Sequence, residues 1–181
     1  LEAEHYDYDR APWRVLHRRS VLSLGGELWV IVDDLLQAGN HPLRTFWHLC
    51  DWPLELDAAS QLVRLDGPEG PFSLCVSGNP VTAAQFKVIR GRDEVNQVQG
   101  FAAPYYGERL PMPTVEIEWN ATGAQRIVTA LGPGPTVSAQ LSSEDQETQH
   151  WTISNGDQHY DLTLNGPKRS AERVFKDHLA L

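Results

Sequence analysis

Residues 17–50 read HRRSVLSLGGELWVIVDDLLQAGNHPLRTFWHLC: two β-forming runs joined through Gly25-Gly26, with titratable residues strung along otherwise apolar strands. A Gly-Gly step between such runs is a hairpin signal, because the tight turn needs positive φ at its central residues. Upstream of it the chain alternates. Trp13, Val15, His17, Arg19 and Val21 fall on one face, and Arg14, Leu16, Arg18, Ser20 and Leu22 on the other. Downstream, Leu28 to Val32 is a continuous β-branched and aromatic run that ends in Asp33-Asp34. A two-residue loop pairs Leu24 with Glu27, which sets His17 opposite Asp34 and Arg18 opposite Asp33. A three-residue loop or a bulge is expected to bring His17 opposite Asp33 instead. Either way an imidazole lies within one step of a carboxylate, an arrangement that orients a histidine or builds half of a metal site.

Beyond this stretch the chain keeps an all-β rhythm. Short apolar runs at Leu43 to Leu49, Leu54 to Leu56, Gln61 to Leu65, Phe72 to Val76 and Ala84 to Ile89 are separated by Gly, Pro, Asn and Asp clusters. Val115 to Trp119 and Arg126 to Leu131 flank Asn120-Ala-Thr-Gly123 as a second expected hairpin, and Trp151 to Ile153 with His159 to Leu164 flank Asn155-Gly156 as a third. Only Ser170 to Leu179 reads as helix, with Ser170 as its N-cap. The predicted architecture is therefore an antiparallel two-sheet β-sandwich with a short C-terminal helix, a single domain over residues 1–181.

Composition excludes several classes of function. A hydrophobic fraction of 41% fills a core, and a net charge of −9 argues against nucleic-acid binding, since no basic surplus exists to displace counterions from phosphates. No apolar run of about 18 residues is present, so no membrane-spanning helix is expected. No signal-peptide pattern opens the chain, and Leu1-Glu-Ala-Glu4 already reads as a strand, so the chain is expected to be an excised or processed part of a larger protein. Cys50 and Cys75 lack C-x-x-C spacing; both read as buried thiols, with a single disulfide as the other option.

The order of motifs resembles the C-terminal sandwich domain of the heparinase II/III family of polysaccharide lyases. Glu4-His-Tyr-Asp-Tyr8 is similar to the family's opening strand. His17-Arg18-Arg19 followed by Trp29-Val-Ile-Val-Asp33 is similar to its His-x-Arg strand and the aromatic-rich strand ending in Asp, and Phe46-Trp-His48 to its Phe-x-His. Gly100 to Gly107 with Tyr106, then Pro111-Met-Pro113, resembles the Tyr-Gly step before a Pro-rich turn, and Thr129 to Pro133 the closing strand. The likeness covers roughly residues 2–134.

The resemblance implies β-elimination on uronate-containing acidic polysaccharides such as glycosaminoglycans, with an upstream α/α toroid domain of the same protein forming the other cleft wall. His17 is the catalytic residue it carries over. The family's catalytic Tyr and its other His or Asn come from the toroid, so the isolated sandwich is expected to be inactive. Arg18, Arg19 and Tyr106 are the implied substrate-binding residues. Some family members hold a divalent metal, zinc or calcium, through His and Asp, which makes Asp33 and His48 candidate ligands. A simple meander around Gln37 to Asn40 sets Asp33 nearer to His41 or Arg44 than to His48, so a metal shared with His48 needs a bulge or a sheet change. A bacterial periplasmic or secreted location is also implied. Against these stand plainer readings: His17 as a carboxylate-bonded surface histidine, Arg18 and Arg19 as edge charges, and the aromatics as core. The competing function is a non-catalytic carbohydrate-binding sandwich, and a weaker one is a structural appendage covering a toroid's apolar face.

Overall fold

The computed structural model describes residues 1–10, 12–36, 39–78, 84–145 and 148–165. The chain builds β1 (Glu2–His5), β2 (Leu16–Leu24), β3 (Leu28–Leu36), β4 (Asn40–His48), β5 (Leu54–Asp57), β6 (Leu62–Gly67) and β7 (Gly70–Ser77). It continues through β8 (Gln85–Arg90), the short β9 (Arg92–Glu94), β10 (Gln97–Gln99), β11 (Phe101–Ala102) and β12 (Leu110–Pro111), then β13 (Pro113–Thr122) and β14 (Gln125–Pro133). The last three are β15 (Val137–Glu144), β16 (Thr148–Asn155) and β17 (Gln158–Asn165). The all-β antiparallel architecture is as the sequence predicts; the expected helix at Ser170 to Leu179 lies outside the described residues.

A seven-stranded sheet in the order β1-β2-β3-β14-β7-β6-β5 forms the middle of the molecule. Against one face lies the three-stranded sheet β4-β13-β8, sharing a core of Val63, Leu65, Leu74, Val76, Val115, Ile117, Trp119, Ala121 and Ile127. Against the other lies β15-β16-β17, where Leu24, Leu28, Val30, Val32, Val128 and Ala130 meet Val137, Ala139, Trp151, Ile153, Leu162 and Leu164. The expected sandwich thus carries an additional layer. The burial patterns show why the sequence reads as it does. The central strand β3 is covered on both sides and is nearly continuously apolar, whereas β4 alternates strictly between half-buried His41, Leu43, Thr45 and Trp47 and exposed Pro42, Arg44, Phe46 and His48.

Three turns correct the expected connections. The β2–β3 loop has three residues, Gly25-Gly26-Glu27, with Leu24 opposite Leu28. Lengthening a hairpin loop moves each partner on β3 away from the turn, so His17 faces Leu35, Arg18 faces Asp34 and Arg19 faces Asp33; neither expected register for His17 is realised. Gly25 has φ +59°, the left-handed conformation that favours glycine, and a Cβ there would lie 2.5 Å from the Tyr160 hydroxyl and displace that ring. The β3–β4 connection changes sheet instead of forming a meander. The expected second hairpin is also a sheet-changing corner. Both edges of β13 are occupied by β4 and β8, and both edges of β14 by β3 and β7, so the two strands do not pair. Trp119 Nε1 donates to Gln125 Oε1 across this corner at 3.0 Å. The third hairpin forms as predicted, with Asn155 opposite Gln158.

The candidate cleft and its cation cluster

Alternation along β2 sends His17 and Arg19 toward the β4 side of the middle sheet, where β3 supplies Asp33. Because Arg19 stands directly opposite Asp33, its guanidinium reaches the carboxylate bidentately, Nε donating to Oδ1 at 2.7 Å and Nη2 to Oδ2 at 2.9 Å. His17 reaches the same carboxylate diagonally across the ladder, its Nε2 lying 2.7 Å from Asp33 Oδ1. When Nε2 donates that bond, Nδ1 carries the lone pair. Asp33 is buried at 8% side-chain exposure, against 29% for His17 and 43% for Arg19. Burial pushes the Asp33 carboxyl up, but the hydrogen bonds and charges of His17 and Arg19 outweigh it and hold it below the usual carboxylate range. Arg19 is correspondingly fixed as a cation, its pKa raised by the hydrogen bond to Asp33 against the opposing effect of burial. The guanidinium also lies 5.8 Å from the centre of the Trp47 ring.

These groups line a cleft of about 460 Å³ between the middle sheet and the free edge of β4. Its walls include Tyr8, Trp13, His41, Arg44 and Phe46, of which all but the half-buried His41 are exposed. The lining holds two arginines, Arg19 and Arg44, against one aspartate, so its formal charge is positive in a chain of net charge −9. Sequence reasoning does not identify Tyr8, Trp13, His41, Arg44 or Phe46 as cleft residues. Arg44 and Phe46 share the exposed side of β4, and the sheet change after β3 sets that strand along the cleft that His17 lines. His5 stands directly opposite His17 in the β1–β2 ladder and lies 3.3 Å from Asp7.

The remaining sequence-derived residues fall elsewhere. Arg18 points to the opposite face, fully buried, with Nε donating to Glu4 Oε1 at 2.6 Å, so it has no access to a ligand in the cleft. Tyr106 is fully exposed in the segment between β11 and β12 and does not line the cleft. His48 lies on the exposed side of β4 with Nδ1 2.9 Å from Thr114 Oγ1, while Asp33 is engaged by His17 and Arg19 inside the cleft. The pair therefore does not fit a shared metal, and among the described residues no group of three or more His, Cys, Asp or Glu is placed to hold one. Both cysteines are free thiols; Cys75 is buried, as expected, but Cys50 is exposed because it follows the end of β4.

Fold and cleft together define an antiparallel sandwich with a cationic, aromatic-rimmed groove. The family model for the heparinase II/III-like C-terminal domain matches residues 1–175, and the chain belongs to that family. Among solved structures it is similar to heparinase III, with TM-score 0.70 and 16% identity over 90% of this chain and 25% of that one. It is similar also to a mutant of the heparan sulfate lyase HepC from Pedobacter heparinus, with TM-score 0.66 and 16% identity over 92% of this chain and 26% of that one. The chain thus spans about a quarter of the length of these relatives. A search of curated protein sequences finds no match.

Proposed function

We propose that this chain is the sandwich domain of a polysaccharide lyase that cleaves uronate-containing acidic polysaccharides by β-elimination, with His17 handling a proton at one wall of the cleft. The observation that carries the reading is the His17–Asp33–Arg19 cluster at the base of a cationic cleft. In β-elimination the C5–H bond breaks, its electron pair forms the C4–C5 double bond, and the C4–O bond breaks with protonation of the leaving oxygen. A histidine oriented through one ring nitrogen by a buried carboxylate leaves the other nitrogen for such a transfer. Asp33, kept ionised by Arg19, fixes the ring and stabilises the imidazolium without taking the proton. The cationic walls favour the negative charge that builds on the uronate as C5 is deprotonated.

The remaining acid-base groups belong, on this reading, to an α/α toroid domain of the same protein, and the 181-residue chain alone is inactive. Polymeric substrates are met outside the cytoplasm, which favours a periplasmic or secreted bacterial protein. The test is release of unsaturated uronate, followed by ultraviolet absorbance, from heparan sulfate and other acidic polysaccharides by the protein at its full natural length. His17→Gln is expected to lower turnover by about 10²-fold or more; unchanged turnover sinks the reading.

A second reading, a non-catalytic carbohydrate-binding sandwich, is favoured by exposed Tyr8, Trp13 and Phe46 around the cleft. Oligosaccharide binding that survives His17→Gln, together with no unsaturated product from the full-length protein, selects it.

A further inference from the structure

We propose that Arg44, supported by Phe46 and Trp13, is the residue that binds the uronate carboxylate in this cleft. This deepens the lyase reading and rests on it for the substrate class. Three arginines compete for the role. Arg18 is excluded by full burial on the far face of the sheet. Arg19 lines the cleft, but its Nε–Nη2 edge and its charge are taken up by Asp33, and turning that edge to a substrate would strip a buried carboxylate of its bidentate partner. Arg44 is differently placed. It is exposed, lines the same cleft as His17, and has no carboxylate partner among the described residues. The acidic residue directly opposite it on β13 is Glu118, which is ion-paired with Lys87 at 3.6 Å.

The surroundings of Arg44 suit a sugar acid. Its guanidinium carbon lies 6.0 Å from the centre of the Phe46 ring, at the outer reach of a cation–π contact, which uses none of its N–H donors. Planar guanidinium and planar carboxylate meet through two parallel, charge-assisted hydrogen bonds. Trp13, 56% exposed on the rim of the cleft, offers an indole face to the C–H face of a sugar ring. The segment that carries Trp13 is anchored, with Val15 N–H donating to Tyr8 O at 2.8 Å and Arg14 N–H to Arg10 O at 3.0 Å. The cleft thus presents an aromatic plate, a free cation and an oriented histidine.

The test measures binding of the 181-residue chain to a heparan sulfate octasaccharide, its carboxyl-reduced form and its desulfated form, by calorimetry. Arg44→Gln is expected to weaken binding of the native octasaccharide by about ten- to a hundredfold, with Arg44→Lys recovering part of the loss. Carboxyl reduction should weaken wild type to the same level and add nothing to Arg44→Gln, the non-additivity expected when both changes remove one contact. The desulfated form should keep the difference between wild type and variant. Wild-type affinity in Arg44→Gln, discrimination that vanishes only on desulfation, or no binding by wild type each overturns the assignment. If Arg44→Gln is neutral while His17→Gln abolishes turnover, the carboxylate assignment alone falls. If His17→Gln leaves turnover unchanged, the lyase reading falls whatever Arg44 does.

Discussion

His17 and Arg19 on one face of β2, and Arg18 between them on the other, are separated by single steps of sequence but occupy two different chemical environments. On the β4 side, Asp33 holds His17 and Arg19 in a half-open cluster that lines a cleft. On the β15-β16-β17 side, Arg18 stands opposite Asp34, and Asp34 is bonded by Arg126 at 2.7 and 3.1 Å with both side chains only 2% exposed. Gln149 from β16 closes this second cluster, its Oε1 accepting from Arg126 Nη1 at 3.4 Å and Trp151 Nε1 at 3.2 Å. Both clusters centre on adjacent aspartates of β3 held by arginine, Asp33 by Arg19 of β2 and Asp34 by Arg126 of β14. What separates them is the cover: a complete third sheet seals one, and the free edge of β4 leaves the other open. The sealed cluster ties the middle sheet to β16 through Gln149, while the open one leaves part of the His17 ring and of the Arg19 guanidinium exposed at the cleft.

The largest stability effect is expected on the sealed side. Asp34→Ala strands Arg126 in a buried site and should cost about 3–5 kcal/mol, read from urea denaturation midpoints. Replacing the pair with Asp34→Leu and Arg126→Met should recover most of that loss, because the penalty lies in the uncompensated charge and not in the missing attraction. A cost for Asp34→Ala near that of a surface substitution would erase the distinction between the two faces.

On the open side the corresponding change is smaller and depends on pH. The folded pKa of Asp33 lies below its unfolded value of about 4. The stability it contributes is therefore fully present above that value and is lost as pH falls through the folded pKa. Asp33→Asn should cost about 1–2 kcal/mol at pH 7, reduced from a fully buried pair because Arg19 is 43% exposed and screened by solvent. The difference from wild type should shrink in acid, below about pH 4. Denaturation midpoints at pH 7 and pH 3 check this, and a constant difference would show that Asp33 acts by packing alone.

How much of this contrast was legible beforehand follows from what sequence periodicity encodes. Alternation places His17 and Arg19 together and Arg18 apart, and the β-branched, aromatic run of Leu28 to Val32 reads as a strand, but its cover on both faces by a third layer is not read from it. Periodicity does not encode which sheet a strand joins. Val115 to Trp119 and Arg126 to Leu131 carry the alternation of a hairpin, yet they lie in different sheets because each already has two other neighbours. The same sheet change after β3 brings Arg44 and Phe46 to the cleft and leaves His48 outside it. One extra loop residue shifted the register, so that Arg19, and not His17, stands opposite Asp33. The family likeness was readable from short motifs in order, but the roles of Arg18 and Tyr106 within it depended on faces and loops that motifs leave open.

The smallest stability effect should come from His17 itself. In His17→Gln, Asp33 loses one donor, but Arg19 continues to bond both of its oxygens, at 2.7 and 2.9 Å, so no buried acceptor is orphaned. The ring is 29% exposed and fills no core cavity, which limits the packing loss. A change within about 0.5 kcal/mol of wild type is expected, the range of ordinary surface substitutions. A side chain that is dispensable to the fold while held on a buried carboxylate at a cleft wall is poorly explained as structure. If denaturation midpoints instead place His17→Gln beside Asp33→Asn, the imidazole is part of the sheet's bonding, and the open face differs from the sealed one only in degree.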